Sequence, residues 1–161
     1  MRRKPFKLWH SLLGIVLLLV VQQLSLDLLG VASFKEAFVL GVAAVGGAAI
    51  IAVATEAIEE VRNARHMLLL LSVIVFEFIA FFAFQYWYFI QIFPAAFQNL
   101  SPDPVSLSLQ SVMVFVFNPL YLATTIAGKA LMLVNTLESL VLALFVLQNI
   151  WQFRARTFVQ S

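Results

Sequence analysis

Two carboxylic acids stand inside long apolar runs of this 161-residue chain, Glu77 and Glu138. A charged side chain at a helix centre in a bilayer costs on the order of 2.5–3.5 kcal/mol by insertion scales, so each acid must face the interior of a helix bundle. Two readings stand side by side. The acids are ion or proton ligands along a pathway, or they are structural, either protonated or hydrogen-bonded to Ser72, Gln85, Asn135, Thr136 or a backbone carbonyl. Other chemistries lack their parts. His10 and His66 lie at the ends of apolar runs, and neither belongs to an HExxH or to a carboxylate–histidine cluster that would hold zinc. There is no glycine-rich phosphate loop and no GxSxG nucleophile, and Thr124, Thr125 and Ser139 have no base beside them. The absence of cysteine removes disulfides, thiolate metal sites and iron–sulfur clusters. The chain reads as a non-enzyme with no metal and no cofactor.

The elements that must position these acids follow from composition. Sixty-three per cent of the residues are hydrophobic and 11% are charged, against about 25% charged in a soluble domain. A water-soluble globule of this size could not hide so much apolar surface. Disorder is excluded for the same reason. The lipid bilayer is therefore the first partner, and the fold class is an all-α integral membrane protein. The ten Lys and Arg residues are split among short connections, which excludes nucleic acid as a partner.

Four apolar runs are long enough to cross, at about 20 residues per span: Leu12–Ser33, Ala37–Ala57, Met67–Phe93 and Ala130–Trp151. The first is longer than a signal-peptide core and lacks a small-residue cleavage site before Asp27, so it reads as a retained span. With both termini in the cytoplasm, Arg2, Arg3, Lys4, Lys7, Arg62, Arg65, Arg154 and Arg156 lie inside and only Lys35 and Lys129 outside. That imbalance is the one that orients membrane proteins. Trp9 and Trp151 then sit at the inner interface and Tyr86, Trp87 and Tyr88 near the outer one. Asp27, with Gln22 and Gln23, is expected to reach interfacial water. A multi-pass protein of a bacterial-type inner or plasma membrane is the expectation.

Between the third and fourth spans the pattern changes. Phe93-Pro94 ends the third helix, a polar loop follows, and Ser106–Phe117 is apolar again before Asn118-Pro119 breaks it. Twelve helical residues reach about 18 Å, too little for about 30 Å of hydrocarbon. A re-entrant half-helix fits, because a fifth crossing would carry Arg154 and Arg156 outside. In the second span Gly41, Ala43, Ala44, Gly46, Gly47, Ala48 and Ala49 make a smooth face suited to close helix packing, within the chain or against a partner. Glu56, Glu59, Glu60, Arg62 and Arg65 read as a charged helical continuation of that span.

Two spans, a helix, a re-entrant half-helix and a closing helix resemble the bacterial pore-loop, potassium-channel-like cation channels with two extra N-terminal spans. Phe93-Pro94-Ala95-Ala96-Phe97 is similar to the Pro-Gly-Ser-Phe turn of such channels. Asn135-Thr136-Leu137-Glu138-Ser139-Leu140 is similar to the Thr-Leu-Glu-Ala-Leu stretch of their inner helix. The resemblance implies two parts: residues 1–66, two helices and a cytoplasmic connector, and residues 67–161, a pore module. It makes Ser111, Asn118, Tyr121, Thr124, Thr125, Gly128 and Lys129 the pore-loop candidates and Glu138 an inner-helix one. The potassium filter Thr-Val-Gly-Tyr-Gly-Asp is not preserved. One register places Asn118–Ala123 there and keeps only the tyrosine, and the other places Thr124–Lys129 there and shortens the approach to the inner helix. Neither keeps both glycines that a carbonyl-lined filter needs.

Two functions follow as expectations. One is an ion channel-like protein, a homotetramer passing monovalent cations with altered or lost potassium selectivity. The other is a non-conducting structural or accessory subunit among other membrane subunits. The layout itself is testable. Cysteines placed singly at Ser101 and Ser161 should be labelled by an impermeant maleimide from opposite faces of the membrane, and labelling of both from one face would overturn it.

Overall fold

A computed structural model describes residues 8–28, 32–59, 61 and 63–158. Arg2, Arg3, Lys4, Lys7, Arg62 and Ser161 lie outside the described residues, as do the side chains of Trp9, His10, Asp27, Arg154 and Arg156. Five helices make up the described chain: α1 (Leu8–Leu28), α2 (Ala32–Glu59), α3 (Ala64–Ile92), α4 (Pro104–Phe115) and α5 (Ile126–Phe158). Phe34–Glu59, Ala64–Ile92 and Ile126–Phe153 are each long and apolar enough to cross a membrane, so the chain is a multi-pass membrane protein. The described apolar stretch of α1, Val16–Ser25, is shorter, and α4 has 12 residues.

Two expected boundaries are corrected. Ser33 belongs to α2 and not to the first run. The charged segment after the second span is not one continuous helix either, because α2 stops at Glu59 and Arg65 lies in the first turn of α3. The reason is local. Asn63 takes extended backbone angles and its side-chain oxygen accepts the Arg65 N–H at 2.9 Å, which caps a new helix where charge spacing alone suggested continuity.

The aromatic helix α3 is the hub, packing on α1, α2, α4 and α5. Phe78, Phe81, Phe82, Tyr86 and Phe89 are buried along it. Gly46 of α2 lies beneath the Phe81 ring so closely that a Cβ there would overlap it. Leu133, Leu137, Leu144 and Leu147 of α5 and Leu13, Leu17 and Leu24 of α1 stay exposed, as lipid-facing positions should.

α1 is tied to α3 by polar groups. The amides of Gln22 and Gln85 exchange two hydrogen bonds of 3.2 Å, both residues fully buried, and the Tyr88 hydroxyl donates to the Leu19 carbonyl at 3.1 Å. Gln22 therefore does not reach interfacial water as expected, because an amide inside hydrocarbon is satisfied more cheaply by a matching amide. Replacing Gln85 with Leu should cost about 1 kcal/mol by orphaning Gln22. The Gln22→Leu/Gln85→Leu pair should recover most of that in reversible SDS unfolding, and additive losses would contradict the pairing.

Candidate functional site

The pore-loop candidates gather around the segment that joins α4 to α5. α4 starts where Asp103 accepts the Val105 and Ser106 N–H groups at 3.0 and 2.9 Å, with Pro104 in the first turn. The Ser106 hydroxyl and those N–H groups pull the Asp103 carboxyl down from 3.8 to about 2, so the cap carries its full charge at neutral pH. The helix ends in a Schellman motif. The Phe117 N–H bonds the Val114 carbonyl at 3.0 Å and the Asn118 N–H bonds the Met113 carbonyl at 2.8 Å. Phe117 takes φ 61, the left-handed position where glycine is usual.

Beyond that turn the backbone is held by one side chain. Gln110 of α4, fully buried, accepts the N–H groups of Leu120 and Tyr121 at 3.0 and 2.8 Å. It also donates to the Tyr121 carbonyl at 3.1 Å. The next residues are stitched to the loop after α3: Gln98 N–H to the Leu122 carbonyl and Thr124 N–H to the Ala96 carbonyl, both at 2.9 Å. The Thr124 hydroxyl donates to the Ala95 carbonyl. Phe97 anchors that loop by edge-on packing against Tyr86, with ring centres 5.2 Å apart.

The candidates thus have different positions. Asn118 is exposed at the loop start, and Tyr121 and Thr124 have their backbones clamped. The Thr125 hydroxyl accepts the Gly128 N–H at 3.0 Å and caps α5. Gly128 and Lys129 lie in the first turn of α5, not in extended loop. Gly128 is required there because a Cβ would stand 2.6 Å from the Ala96 carbonyl oxygen. Lys129 is exposed, placing a cation near a helix N-terminus where the macrodipole is already positive. Ser111 is buried inside α4 and donates to the Leu107 carbonyl at 2.8 Å.

The intramembrane acids are apart from the loop. Glu77 lines a groove between α1 and α3 with Val16, Leu19 and Phe84. The Glu138 carboxylate lies against Gly47 of α2. The partners expected for them are engaged elsewhere: Ser72 with Leu68, Gln85 with Gln22, and Thr136 with Met132. Asn135 is buried with neither amide atom bonded. The Tyr86 hydroxyl sits beside the Asn135 and Gln110 amides without closing a well-formed bond to either.

Sequence reasoning missed Gln110, although a lone amide in an otherwise largely apolar 12-residue helix was its signal. It also missed the Ala95–Gln98 backbone, which no side-chain pattern marks. Gln110→Leu removes three bonds to the loop, each worth about 1 kcal/mol. Amides of residues 120–124 should then exchange with deuterium much faster while α2 and α3 keep their protection, and unchanged exchange would show that the clasp is dispensable. No protein-family model, no characterised protein and no solved structure matches the chain.

Proposed function

We propose that the chain is an ion channel-like membrane protein. α1, α2, α3 and α5 cross the bilayer with both termini in the cytoplasm, and α4 enters as a half-helix. The 116–125 loop of each subunit faces the axis of a homotetramer that passes monovalent cations without strong potassium preference. One observation carries the reading: a 12-residue helix, held between α3 and α5, is followed by non-helical backbone clamped at its own side. Non-helical backbone at membrane depth is tolerated where it is buried in protein or lines a water-filled cavity.

The same clamp bears on selectivity. The Tyr121 carbonyl accepts from Gln110 and the Leu122 carbonyl from Gln98, so neither is turned to an ion. A potassium filter needs consecutive carbonyls aimed at the axis. Cations would pass along side chains such as Asn118, with Lys129 as an electrostatic barrier. These engaged carbonyls also favour the second reading, a non-conducting structural or accessory subunit of a larger membrane complex.

Protein purified in mild detergent and reconstituted in planar bilayers distinguishes them. The channel reading expects a tetrameric mass and a conductance whose reversal potential does not follow the potassium gradient. It also expects Lys129→Glu to raise cation flux, most at low salt where screening is weak. A single copy recovered with unlike subunits and no conductance would establish the accessory role. A reversal potential close to potassium's would refute the lost selectivity.

A further inference from the structure

At the contact between α2 and α5, away from the loop, the Glu138 carboxylate fills a notch that exists because residue 47 is glycine. Any Cβ there would overlap the carboxylate. Both carboxylate oxygens are enclosed, and neither accepts a hydrogen bond from a described residue. The hydroxyls nearest it in sequence are occupied, Thr136 with the Met132 carbonyl and Ser139 with the Asn135 carbonyl. One turn earlier on the same helix, the fully buried Asn135 side chain leaves its own carbonyl oxygen and amide nitrogen unbonded.

The basic residues of α2, α3 and α5 stand near the ends of those helices, at Lys35, Arg65, His66, Lys129, Arg154 and Arg156, and the stretches between them supply none. No Lys, Arg or His occurs between residues 36 and 61, between 67 and 128, or between 130 and 153. From α2 the acid meets Gly47; α4 carries no charged residue. On α3 the titratable neighbours are Tyr86, beside Asn135, and Glu77, which lines the α1–α3 groove. An ionised carboxylate so enclosed, with no counter-charge and no donor, is strongly unfavourable. A buried group without a partner needs a physical account, and a bound cation supplies one.

We propose that Glu138, seated over Gly47, is an intramembrane binding site for a small monovalent cation, either a proton or an alkali ion. Its carboxyl, closed in against Gly47, is the charged ligand. The site rests on the packing of α2 against α5 and holds whether or not the loop conducts.

Dicyclohexylcarbodiimide tests this on the purified full-length protein in mild detergent. The reagent takes the proton of a carboxyl shielded from water, the carboxylate adds to its central carbon, and rearrangement leaves a stable N-acylurea that peptide mass spectrometry locates. Glu138 should be modified much faster than the exposed Glu59, and Glu138→Gln should lose that adduct while keeping the helical fold. Gly47→Ala, which closes the notch, should slow the reaction severalfold at unchanged helical content. Slowing by sodium or potassium chloride at fixed pH, absent with choline chloride, assigns an alkali ion, and insensitivity to all three assigns the proton. Modification of Glu138 no faster than that of Glu59 overturns the site.

Discussion

The grip of the Gln110 amide on the backbone of Leu120 and Tyr121 is the interaction on which the α4–α5 end of the molecule depends. Every N–H and C=O that leaves a helix and is buried in protein must find another partner or cost a few kcal/mol. Gln110 supplies one acceptor used twice and one donor, and the Ala95–Gln98 backbone supplies most of the rest. Because those partners sit on α4 and on the loop after α3, the three segments are fixed together. Phe97 must dock beneath Tyr86, and residue 128 must lack a Cβ where α5 begins beside Ala96. The strained left-handed Phe117 is tolerated because the Schellman bonds around it close the end of α4.

A second constraint acts on the other side of α3. Helices in lipid gain little from burying apolar surface and associate by close packing instead. The adjacent glycines of α2 serve two neighbours, Gly46 receiving the Phe81 ring of α3 and Gly47 the Glu138 carboxylate of α5. One position thereby accommodates bulk and the other an acid. The rest of the small-residue face is divided, with Ala43 buried and Gly41, Ala44 and Ala48 open.

These two constraints bear on function in opposite ways. Clamping the loop allows non-helical backbone to exist beside the 12-residue α4, as the proposed pore would require. The clamp also takes up the Tyr121 and Leu122 carbonyls, which a carbonyl-lined filter would need free. Under the channel reading proposed above, selectivity would come from side chains and from fixed charges such as Lys129. The Glu138 carboxyl, enclosed against Gly47, is a separate polar element, built into a helix contact and apart from the loop.

Hydrophobic runs and helix-breaking residues were enough to make the helical class and most element boundaries legible. Pro94 and Asn118-Pro119 bracket α4, and α3 coincides with its apolar run to within three residues, while α2 begins five residues before its run and α5 continues seven residues past Trp151. Such features are set by local backbone chemistry and by transfer to lipid, which composition reports directly. Pairings between distant residues were not legible. Gln22 with Gln85, Gln110 with Tyr121, and Glu138 over Gly47 lie 63, 11 and 91 positions apart in the numbering. Polar side chains in an apolar run announce that they need partners, but the partner is chosen by which helix faces touch. Only the packing of α1, α2, α4 and α5 around α3 decided that Gln22 turns inward, that Gly128 and Lys129 start a helix, and that the Glu138 carboxylate meets a glycine instead of a donor.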